Sequence, residues 1–178
     1  MRKLVLYTAV SLDGFIARKN GEVDWLSDYE NQDEDYGFME FFNSVDTMIS
    51  GNNTHKIMLE LEENYPYAEK KIYVLTKDAG LENDEQIEYL RSKRSIISFV
   101  EDLKSDFGSN IWLVGGGKTN AFFLEAGLID LLILSIIPIT LGDGIPLFSK
   151  AKDQSGWMLV ESHSYPKGVV QLRYELLT

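Results

Sequence analysis

Apolar and polar positions divide the chain into alternating strand-like and helix-like segments. The strand-like segments are mostly continuous runs of Val, Ile and Leu, which is typical of strands buried on both faces of a parallel sheet. We predict strands at residues 3–10, 45–50, 71–75, 95–99, 111–114 and 131–137, and helices at residues 33–43, 54–63, 85–90, 100–107 and 119–126. This alternation predicts βαβ units with right-handed crossovers.

The end of the chain departs from this alternation. Residues 157–164 and 169–176 are both strand-like and flank the turn sequence Tyr165-Pro166-Lys167-Gly168, which predicts a closing antiparallel hairpin. No repeat or linker interrupts the pattern, so residues 1–178 are predicted to form one three-layer α/β/α domain with a mostly parallel central sheet. Such sheets bind ligands outside the carboxyl ends of their strands, where we expect the functional residues.

Composition excludes several functions. The 178 residues include 28 Asp and Glu against 17 Lys and Arg, a formal net charge of -11, which disfavours nucleic-acid binding. There is no Cys, so disulfides and thiolate metal sites are excluded, and His55 and His163 form no recognisable metal motif. The longest apolar run, residues 131–139, is far shorter than the roughly 20 residues that span a bilayer. We therefore expect a cytoplasmic protein that binds neither nucleic acid, nor membrane, nor metal.

A strand-to-helix junction with three consecutive glycines is the most specific motif. A predicted strand runs into Gly115, Gly116 and Gly117, which are followed by Lys118 and Thr119. Glycines let backbone N–H groups approach an anion, while the helix N-terminus and the lysine add positive charge. The motif predicts phosphate binding; a tight turn that binds nothing is the alternative.

Two common phosphate loops do not fit this junction. A Walker A loop requires Gly at the position of Trp112, and a dinucleotide fingerprint requires Gly at the position of Asn120. A nucleoside triphosphatase and an ordinary Rossmann domain are therefore disfavoured. The later Gly142-Asp143-Gly144 sequence precedes no helix and is predicted to be a loop.

A second strand end precedes Asn52, Asn53 and Thr54. Any of these side chains could simply cap the following helix. Alternatively, this helix N-terminus faces phosphate as well, and two such termini on one sheet could hold the pyrophosphate of a dinucleotide from either side.

A long connection follows the first strand. It begins with Ser11-Leu12-Asp13-Gly14-Phe15-Ile16-Ala17 and continues to Asp24-Trp25-Leu26. Loops of this length are often active-site lids. We expect four apolar side chains of the connection to be exposed, where they would suit a flat ring such as nicotinamide: Phe15, Ile16, Trp25 and Leu26. Simple loop packing is the alternative.

Taken in order, these motifs resemble one family. The residues that carry the resemblance are residues 8–17, Asp24-Trp25, Ser50-Gly51 with Thr54, residues 114–117, and residues 141–148 with the sequence Leu-Gly-Asp-Gly-Ile-Pro-Leu-Phe. The whole chain is similar to the dihydrofolate-reductase-like family that includes the reductase domain of the bifunctional riboflavin-biosynthesis deaminase-reductase. The resemblance implies an NADPH-dependent reductase of a small-molecule substrate, commonly a homodimer.

The resemblance also implies which residues form the site. Nicotinamide contacts are implied for Ala9, Ile16 and Ala17, and adenosine contacts for Leu75, Thr76 and Lys77. Phosphate contacts are implied for residues of the two glycine motifs: Gly51, Asn53, Thr54, Gly115, Gly116, Gly117, Lys118 and Thr119. Substrate contacts are implied for Trp25, Asp35, Phe38 and Met39.

Asp35 is the implied catalytic residue. Folate enzymes of the family carry a buried carboxylate on the helix before the second strand, and Asp35 falls at the matching place, with Phe38 and Met39 on the next turn. A buried carboxylate among aromatic residues suits proton exchange near neutral pH. A solvated acidic helix start, with Asp33 and Glu34 as neighbours, is the alternative.

One departure from the family affects the expected cofactor. The family usually has Arg directly after the Gly of the second motif, where this chain has Asn52. Loss of a bidentate cation weakens phosphate recognition, so NADH is not excluded beside NADPH. Lys77 and Lys118 remain as candidate cations.

The distribution of charge bears on the substrate. Seven acidic residues and no Lys or Arg lie between residues 22 and 35, which argues for a substrate less anionic than the family's known ones. The expected function is an NADPH-dependent reductase of a heterocycle of the 5-amino-6-(5-phosphoribosylamino)uracil type or the dihydropteridine/dihydrofolate type. The alternative is a non-catalytic nucleotide-binding or dimerising module of the same fold.

Overall fold

The computed structural model describes residues 1–29, 34–61, 67, 69–152 and 154–177. In chain order its strands and α-helices are β1 (Leu4–Ser11), β2 (Phe15–Ala17), α1 (Phe38–Asn43), β3 (Val45–Gly51), α2 (Asn52–Leu61), β4 (Lys71–Leu75), β5 (Ile87–Leu90), α3 (Lys93–Ser105), β6 (Asn110–Gly115), α4 (Gly117–Glu125), β7 (Leu131–Ile137), β8 (Ile145–Pro146), β9 (Trp157–Ser164) and β10 (Val170–Leu176).

Eight of these strands form one central sheet in the order β5-β4-β3-β6-β1-β7-β10-β9. The six strands from β5 to β7 are parallel, whereas β10 is antiparallel to both β7 and β9. A separate small sheet pairs β2 with β8. The predicted, mostly parallel sheet with a closing antiparallel hairpin is confirmed.

The two faces of the sheet bury separate apolar clusters. On one face Phe41 of α1 packs with Val5 and Trp112. On the other face Val100 of α3 and Phe123 of α4 pack with the strands. Helices therefore cover both faces, which confirms the predicted three layers.

Two predicted elements between β4 and β6 are wrong. Residues 85–90, predicted as a helix, include β5, which pairs with β4 at the edge of the sheet. Residues 95–99, predicted as a strand, lie inside α3. Ile96, Val100 and Leu103 are buried together at the spacing of one helix face. The continuous apolar run concealed this spacing, because such runs do not distinguish a buried strand from a helix.

The predicted helix at residues 33–43 begins later than expected, at Phe38. Tyr36 and Gly37 have φ angles of 54° and 75°, and this left-handed conformation cannot continue a right-handed helix. Asp35 therefore precedes α1. Residue 33 lies outside the described residues, as do residues 62 and 63 of the predicted helix 54–63.

Two further expectations concern membranes and metals. No helix among the described residues is long and apolar enough to cross a membrane. The described part of the chain also contains no group of three or more His, Asp or Glu side chains that could hold a metal ion.

Candidate functional site

Two glycine-bearing strand ends lie side by side at the carboxyl edge of the sheet. β3 and β6 are parallel neighbours, with Ser50 opposite Gly115. α2 begins at Asn52, directly after β3, and α4 begins after Gly116. The structure thus brings together the two helix N-termini that the sequence predicted, on neighbouring strands and from opposite faces of the sheet.

The two strand ends are so close that their glycines cannot be replaced without movement. A Cβ on Gly51 would lie 2.6 Å from Thr119 Oγ1, and a Cβ on Gly116 would lie 2.9 Å from Thr54 Oγ1. The Gly116 N–H donates to Thr54 Oγ1 at 3.0 Å. This N–H is therefore used within the protein, as is the Thr119 N–H, which donates to the Gly116 carbonyl at 2.8 Å. In general, the N–H groups at the very start of a helix find no carbonyl acceptor in their own helix.

Residues 145–149, in the segment after β7, pack against the triple-glycine loop and form its wall. A Cβ on Gly117 would lie 2.2 Å from the carbonyl oxygen of Pro146, and the Ser149 N–H donates to the Gly117 carbonyl at 2.9 Å. The fully buried Asn120 donates from Nδ2 to the Leu147 carbonyl at 2.9 Å. The glycine motif and the later motif at residues 141–148 are thus one structural unit, joined by a residue that sequence analysis had used only to reject a Rossmann fingerprint.

The start of the long connection is tied to the same unit. Ala17 of β2 lies opposite Ile145 of β8, and the Leu147 N–H donates to the Gly14 carbonyl at 2.9 Å. The predicted lid therefore contacts the wall of the glycine loop, which brings Ala17 near the candidate phosphate site.

The apolar side chains of the connection are not exposed as expected. Trp25 is only 6% exposed and forms a cluster with Ile137 and Val169, against which Ala9 also packs. The other three, Phe15, Ile16 and Leu26, are half-buried. The expectation of an exposed apolar lid is wrong, because the loop buries these side chains against the sheet.

Asp13 links the connection to the segment after β7. Its carboxylate accepts the Ser11 hydroxyl at 2.5 Å, the Gly142 N–H at 2.7 Å and the Leu141 N–H at 3.1 Å. The serine hydroxyl and the two backbone N–H groups lower the pKa of Asp13. In the sequence, Asp13 stands out only as part of the motif at residues 11–17, and the joint presence of this motif and Leu141-Gly142 was the available indication of their contact.

The residues expected on the adenosine side lie at the end of β4. Leu75 is opposite Gly51, and Thr76 Oγ1 accepts the Asp78 N–H at 3.0 Å. Lys77 follows β4, Lys118 follows β6, and both are exposed. Since β4 and β6 flank β3, the two cations lie on either side of the Gly51 strand end.

Asp35, the implied catalytic residue, precedes α1, which begins at Phe38. It is exposed, so the implied buried carboxylate is wrong. Its two oxygens accept the N–H groups of Gly37 and Met39 at 2.9 and 3.0 Å, which caps the helix. The carbonyl of the next residue, Tyr36, accepts the Tyr7 hydroxyl at 3.0 Å. Burial, with smaller contributions from the charges of Tyr165 and Asp35, raises the pKa of Tyr7 to about 12.

The other expected substrate residues of α1 point in different directions. Phe38 contacts the rings of Tyr7 and Trp112, with centroid separations of 5.9 and 5.7 Å. Met39 is 53% exposed. Phe38 therefore belongs to the aromatic surface over β1, while Met39 lies at its outer border.

A cavity of about 330 Å³ opens between α1 and the β9–β10 hairpin. Its lining includes Tyr7, Gly37, His163, Tyr165 and Gln171. It adjoins the aromatic surface next to Asp35, but its described lining contains none of the expected cofactor residues.

Comparison with known proteins agrees with this geometry. Residues 67–171 match the model of the RibD C-terminal domain. The chain belongs to this family. It is 37% identical to the uncharacterized protein YwjB of Bacillus subtilis (strain 168), over 97% of both chains. The resemblance found in the sequence is thereby confirmed.

Solved structures extend this RibD C-terminal domain assignment to the fold. A Shewanella sp. PV-4 protein assigned to riboflavin biosynthesis is 28% identical over 99% of both chains, with a TM-score of 0.84. Dihydrofolate reductase from Enterococcus faecalis, in complex with NADP(H), is 16% identical over 99% of this chain and 97% of its own, with a TM-score of 0.71. The second likeness shows a dihydrofolate-reductase-like fold.

Within this RibD C-terminal domain, Asn52 is the first residue of α2. The N-terminus of α2 thus offers backbone N–H groups and neutral side chains at Asn52, Asn53 and Thr54. Lys56, one turn later, is exposed.

Proposed function

We propose that the protein is an NADPH-dependent reductase of a small heterocyclic substrate. The junction of β3 and β6 carries this proposal, because it joins two helix N-termini through the Gly116–Thr54 hydrogen bond at the carboxyl edge of the sheet. Paired N-termini with close glycines suit the two phosphates of a dinucleotide. The proposed substrate is a compound of the 5-amino-6-(5-phosphoribosylamino)uracil type or the dihydropteridine type.

The residues around this junction fit a dinucleotide. A side chain at Gly51 or Gly116 would fill the narrow space between the strand ends, and Lys118 adds a cation beside the first turn of α4. NADPH, when bound, supplies the hydride. The proposed phosphate contacts are Gly51, Asn53, Thr54, Gly115, Gly116, Gly117, Lys118 and Thr119; the proposed nicotinamide contacts are Ala9, Ile16 and Ala17, and the adenosine contacts Leu75, Thr76 and Lys77.

On the substrate side, Asp35 is proposed to bind the heterocycle and to exchange a proton with it, with Trp25, Phe38 and Met39 as further contacts. Each Asp35 oxygen accepts one backbone N–H and retains a second lone pair. Such a carboxylate suits the N–H donors of an aminopyrimidine or a pterin. The aromatic surface that contains Phe38 provides the flat wall that such a ring requires.

Ion pairs in the connection support a substrate with few negative charges. Arg18 pairs with Asp24 at 2.6 Å, and Lys19 pairs with Asp143. Two cations near the site are thus already matched by carboxylates, so a strongly anionic substrate gains less from them.

A titration followed by turnover tests the proposal. NADPH binding is measured by fluorescence, and hydride transfer by loss of reduced-nicotinamide absorbance with a panel of aminopyrimidines and dihydropteridines. Binding with turnover supports the reductase, whereas binding without turnover supports the non-catalytic module. If neither NADPH nor NADH binds, both the reductase and the nucleotide-binding module are contradicted, and only a dimerising module is left.

Two substitutions sharpen this test. Asp35→Asn is expected to lower turnover by at least roughly tenfold, while Glu101→Gln, an exposed change on α3, leaves it unchanged. Full turnover by Asp35→Asn removes the proposed acid–base role.

Asn52→Arg tests the cofactor preference. A guanidinium at the N-terminus of α2 is expected to raise the preference for NADPH over NADH by roughly tenfold, because it can pair with a phosphate. Asn52→Gln, which extends the side chain without charge, is the matched control. An unchanged ratio of the two dissociation constants would place the 2′-phosphate elsewhere.

A homodimer also remains a proposal. β9 is an edge strand, and it exposes Met158, Leu159 and Val160, an apolar surface that a second copy could cover. Light scattering of the wild type and of Leu159→Lys tests this, and a monomeric wild type contradicts it.

A further inference from the structure

The turn beside Asp35 has a conformation that its sequence does not favour. Tyr36 has a φ of 54° and is followed by Gly37 with a φ of 75°. Glycine adopts left-handed angles freely, but a bulky aromatic residue does so only where the surrounding structure compensates. Something outside the turn must therefore hold Tyr36 in place.

Contacts from outside the turn hold Tyr36 at its carbonyl, hydroxyl and ring, while its N–H donates to the nearby Glu34 carboxylate at 3.0 Å. Its carbonyl oxygen accepts the Tyr7 hydroxyl at 3.0 Å and Gln171 Nε2 at 2.9 Å. Its hydroxyl donates to the Tyr29 carbonyl at 2.6 Å, and its ring meets the edge of Tyr165 with centroids 5.1 Å apart.

Gln171 connects this turn to the sheet. It lies on β10 opposite Ser135 of β7, which in turn lies opposite Ala9 of β1. Its Nε2 also donates to Ser135 Oγ at 3.1 Å. The Gln171 amide is therefore fixed by a neighbour in the sheet while it binds the Tyr36 carbonyl.

The Tyr36–Gly37 turn also determines where the Asp35 carboxylate points. The Gly37 N–H lies within the turn and the Met39 N–H directly after it, and these two groups bind the two carboxylate oxygens. If the turn relaxes to a right-handed conformation, the Gly37 N–H changes direction and the carboxylate loses this donor.

We infer that Gln171 is a positioning residue for Asp35, acting through the Tyr36 carbonyl. The inference rests on the proposed role of Asp35 in the reductase. None of the expected site residues lies on β10. The inference gives this strand a role in the site, because its Gln171 holds the turn beside Asp35.

Two substitutions of Gln171 test the inference. Gln171→Leu removes the donor. Gln171→Glu replaces it at neutral pH with a carboxylate that cannot donate to the Tyr36 carbonyl, whereas the protonated acid can donate again at lower pH. Gln154→Glu, which adds the same charge at an exposed position, is the matched control.

The first readout does not depend on activity. Hydrogen exchange of the Gly37 and Met39 amides, followed by NMR, is expected to accelerate roughly tenfold in both Gln171 variants at neutral pH, with thermal unfolding of the rest of the chain retained. In Gln171→Glu the protection returns as the pH is lowered. Unchanged protection in folded variants overturns the inference.

The second readout is catalytic. The same variants are expected to lower kcat by a similar factor while the cofactor dissociation constant stays unchanged, because the cofactor residues lie on other strands. If a Gln171 variant does not fold, Tyr7→Phe removes the other donor to the same carbonyl, and unchanged protection there also overturns the inference. If protection falls but even the wild type transfers no hydride, the positioning of the turn stands and the proposed reductase fails.

Discussion

The two halves of the candidate site are built in different ways. The cofactor half, residues 50–54, 115–119 and 145–149, is held by backbone atoms and by glycines in close contact. The substrate half, residues 34–39, is held by side chains of β1 and β10 that bind the Tyr36 carbonyl. The cofactor half should therefore be sensitive to added atoms as well as to loss of the adjoining Asn120 hydrogen bond, whereas the substrate half should be sensitive mainly to lost hydrogen-bonding groups.

The halves also differ in how their charges are arranged. In the cofactor half, the exposed Lys118 lies in the first turn of α4, where the partial charge of the helix is positive, and the exposed Lys77 follows β4, the strand beside β3. In the substrate half, the Asp35 carboxylate is exposed, and the Tyr7 hydroxyl, which donates to the carbonyl of the adjacent Tyr36, is neutral, with burial raising its pKa to about 12. Opposite charges thus lie on the two sides of the site, as the proposed reductase with a less anionic substrate requires.

The largest effect is expected from an added methyl group in the cofactor half. Gly117→Ala places a Cβ 2.2 Å from the Pro146 carbonyl oxygen, so backbone must move, at a cost of about 3 kcal/mol in the free energy of unfolding. Urea denaturation measures this cost. Gly80→Ala, near only the flexible Asp78 side chain, is the control, and equal stabilities of the two variants would show that the wall at residues 145–149 yields easily.

A buried hydrogen bond of the same half gives the next largest effect. Asn120→Leu removes the donor to the Leu147 carbonyl and is expected to cost about 2 kcal/mol, since a buried acceptor is left unpaired. Thermal and urea unfolding measure it, with the exposed Gln154→Leu as control. An unchanged free energy of unfolding would mean that the position of residues 145–149 does not depend on the Asn120 amide.

A pH-dependent effect is expected at the junction between the connection and the segment after β7. Folding lowers the pKa of Asp13, so its stabilisation is present above the ordinary carboxyl pKa of about 3.9 and is lost as the pH falls through the lower folded value. Asp13→Asn should reduce Tm at neutral pH, and the difference from wild type should shrink in acid. Asp102→Asn, on the exposed side of α3, serves as control; a difference that persists undiminished in acid contradicts the assignment.

The smallest effect is expected from a single exposed cation. Lys118→Ala should raise the dissociation constant for NADPH by roughly threefold to tenfold at low salt, and by less at high salt, because exposed charges are screened. Isothermal titration at two ionic strengths measures it, with Lys152→Ala as control. Equal affinity at low salt would show that backbone N–H groups alone hold the phosphates.

Much of the cofactor half was predictable because its determinants are local. Three glycines after a buried strand, and a polar helix start after Gly51, indicate strand-to-helix junctions without knowledge of the rest of the chain. Their adjacency was not predicted, because only the strand order of the folded sheet places β3 next to β6. The contact of Gly117 with Pro146 was not predictable, since it depends on how residues 145–149 pass over the carboxyl edge of the sheet.

The substrate half was predicted less well because its determinants are distant in sequence. The resemblance placed Asp35 as a buried carboxylate on the helix before the second strand. In the structure Asp35 is exposed and precedes α1, because Tyr36 and Gly37 form a left-handed turn and the helix begins only at Phe38. Gly37 and the short-range bonds from Glu34 and Asp35 suit the turn locally, but the left-handed Tyr36 is also held at its carbonyl by the distant Tyr7 and Gln171.

By itself the sequence determined the α/β class, the parallel sheet with its closing hairpin, and the two glycine junctions, because apolar periodicity and backbone freedom act over a few residues. The tertiary structure decided that residues 87–90 form a strand and that Ile96 belongs to a helix. It also decided that Asn120 and Asp13 join separate motifs, and that Gln171 reaches the turn beside Asp35. Those outcomes depend on burial and hydrogen bonding between segments that only the folded chain brings together.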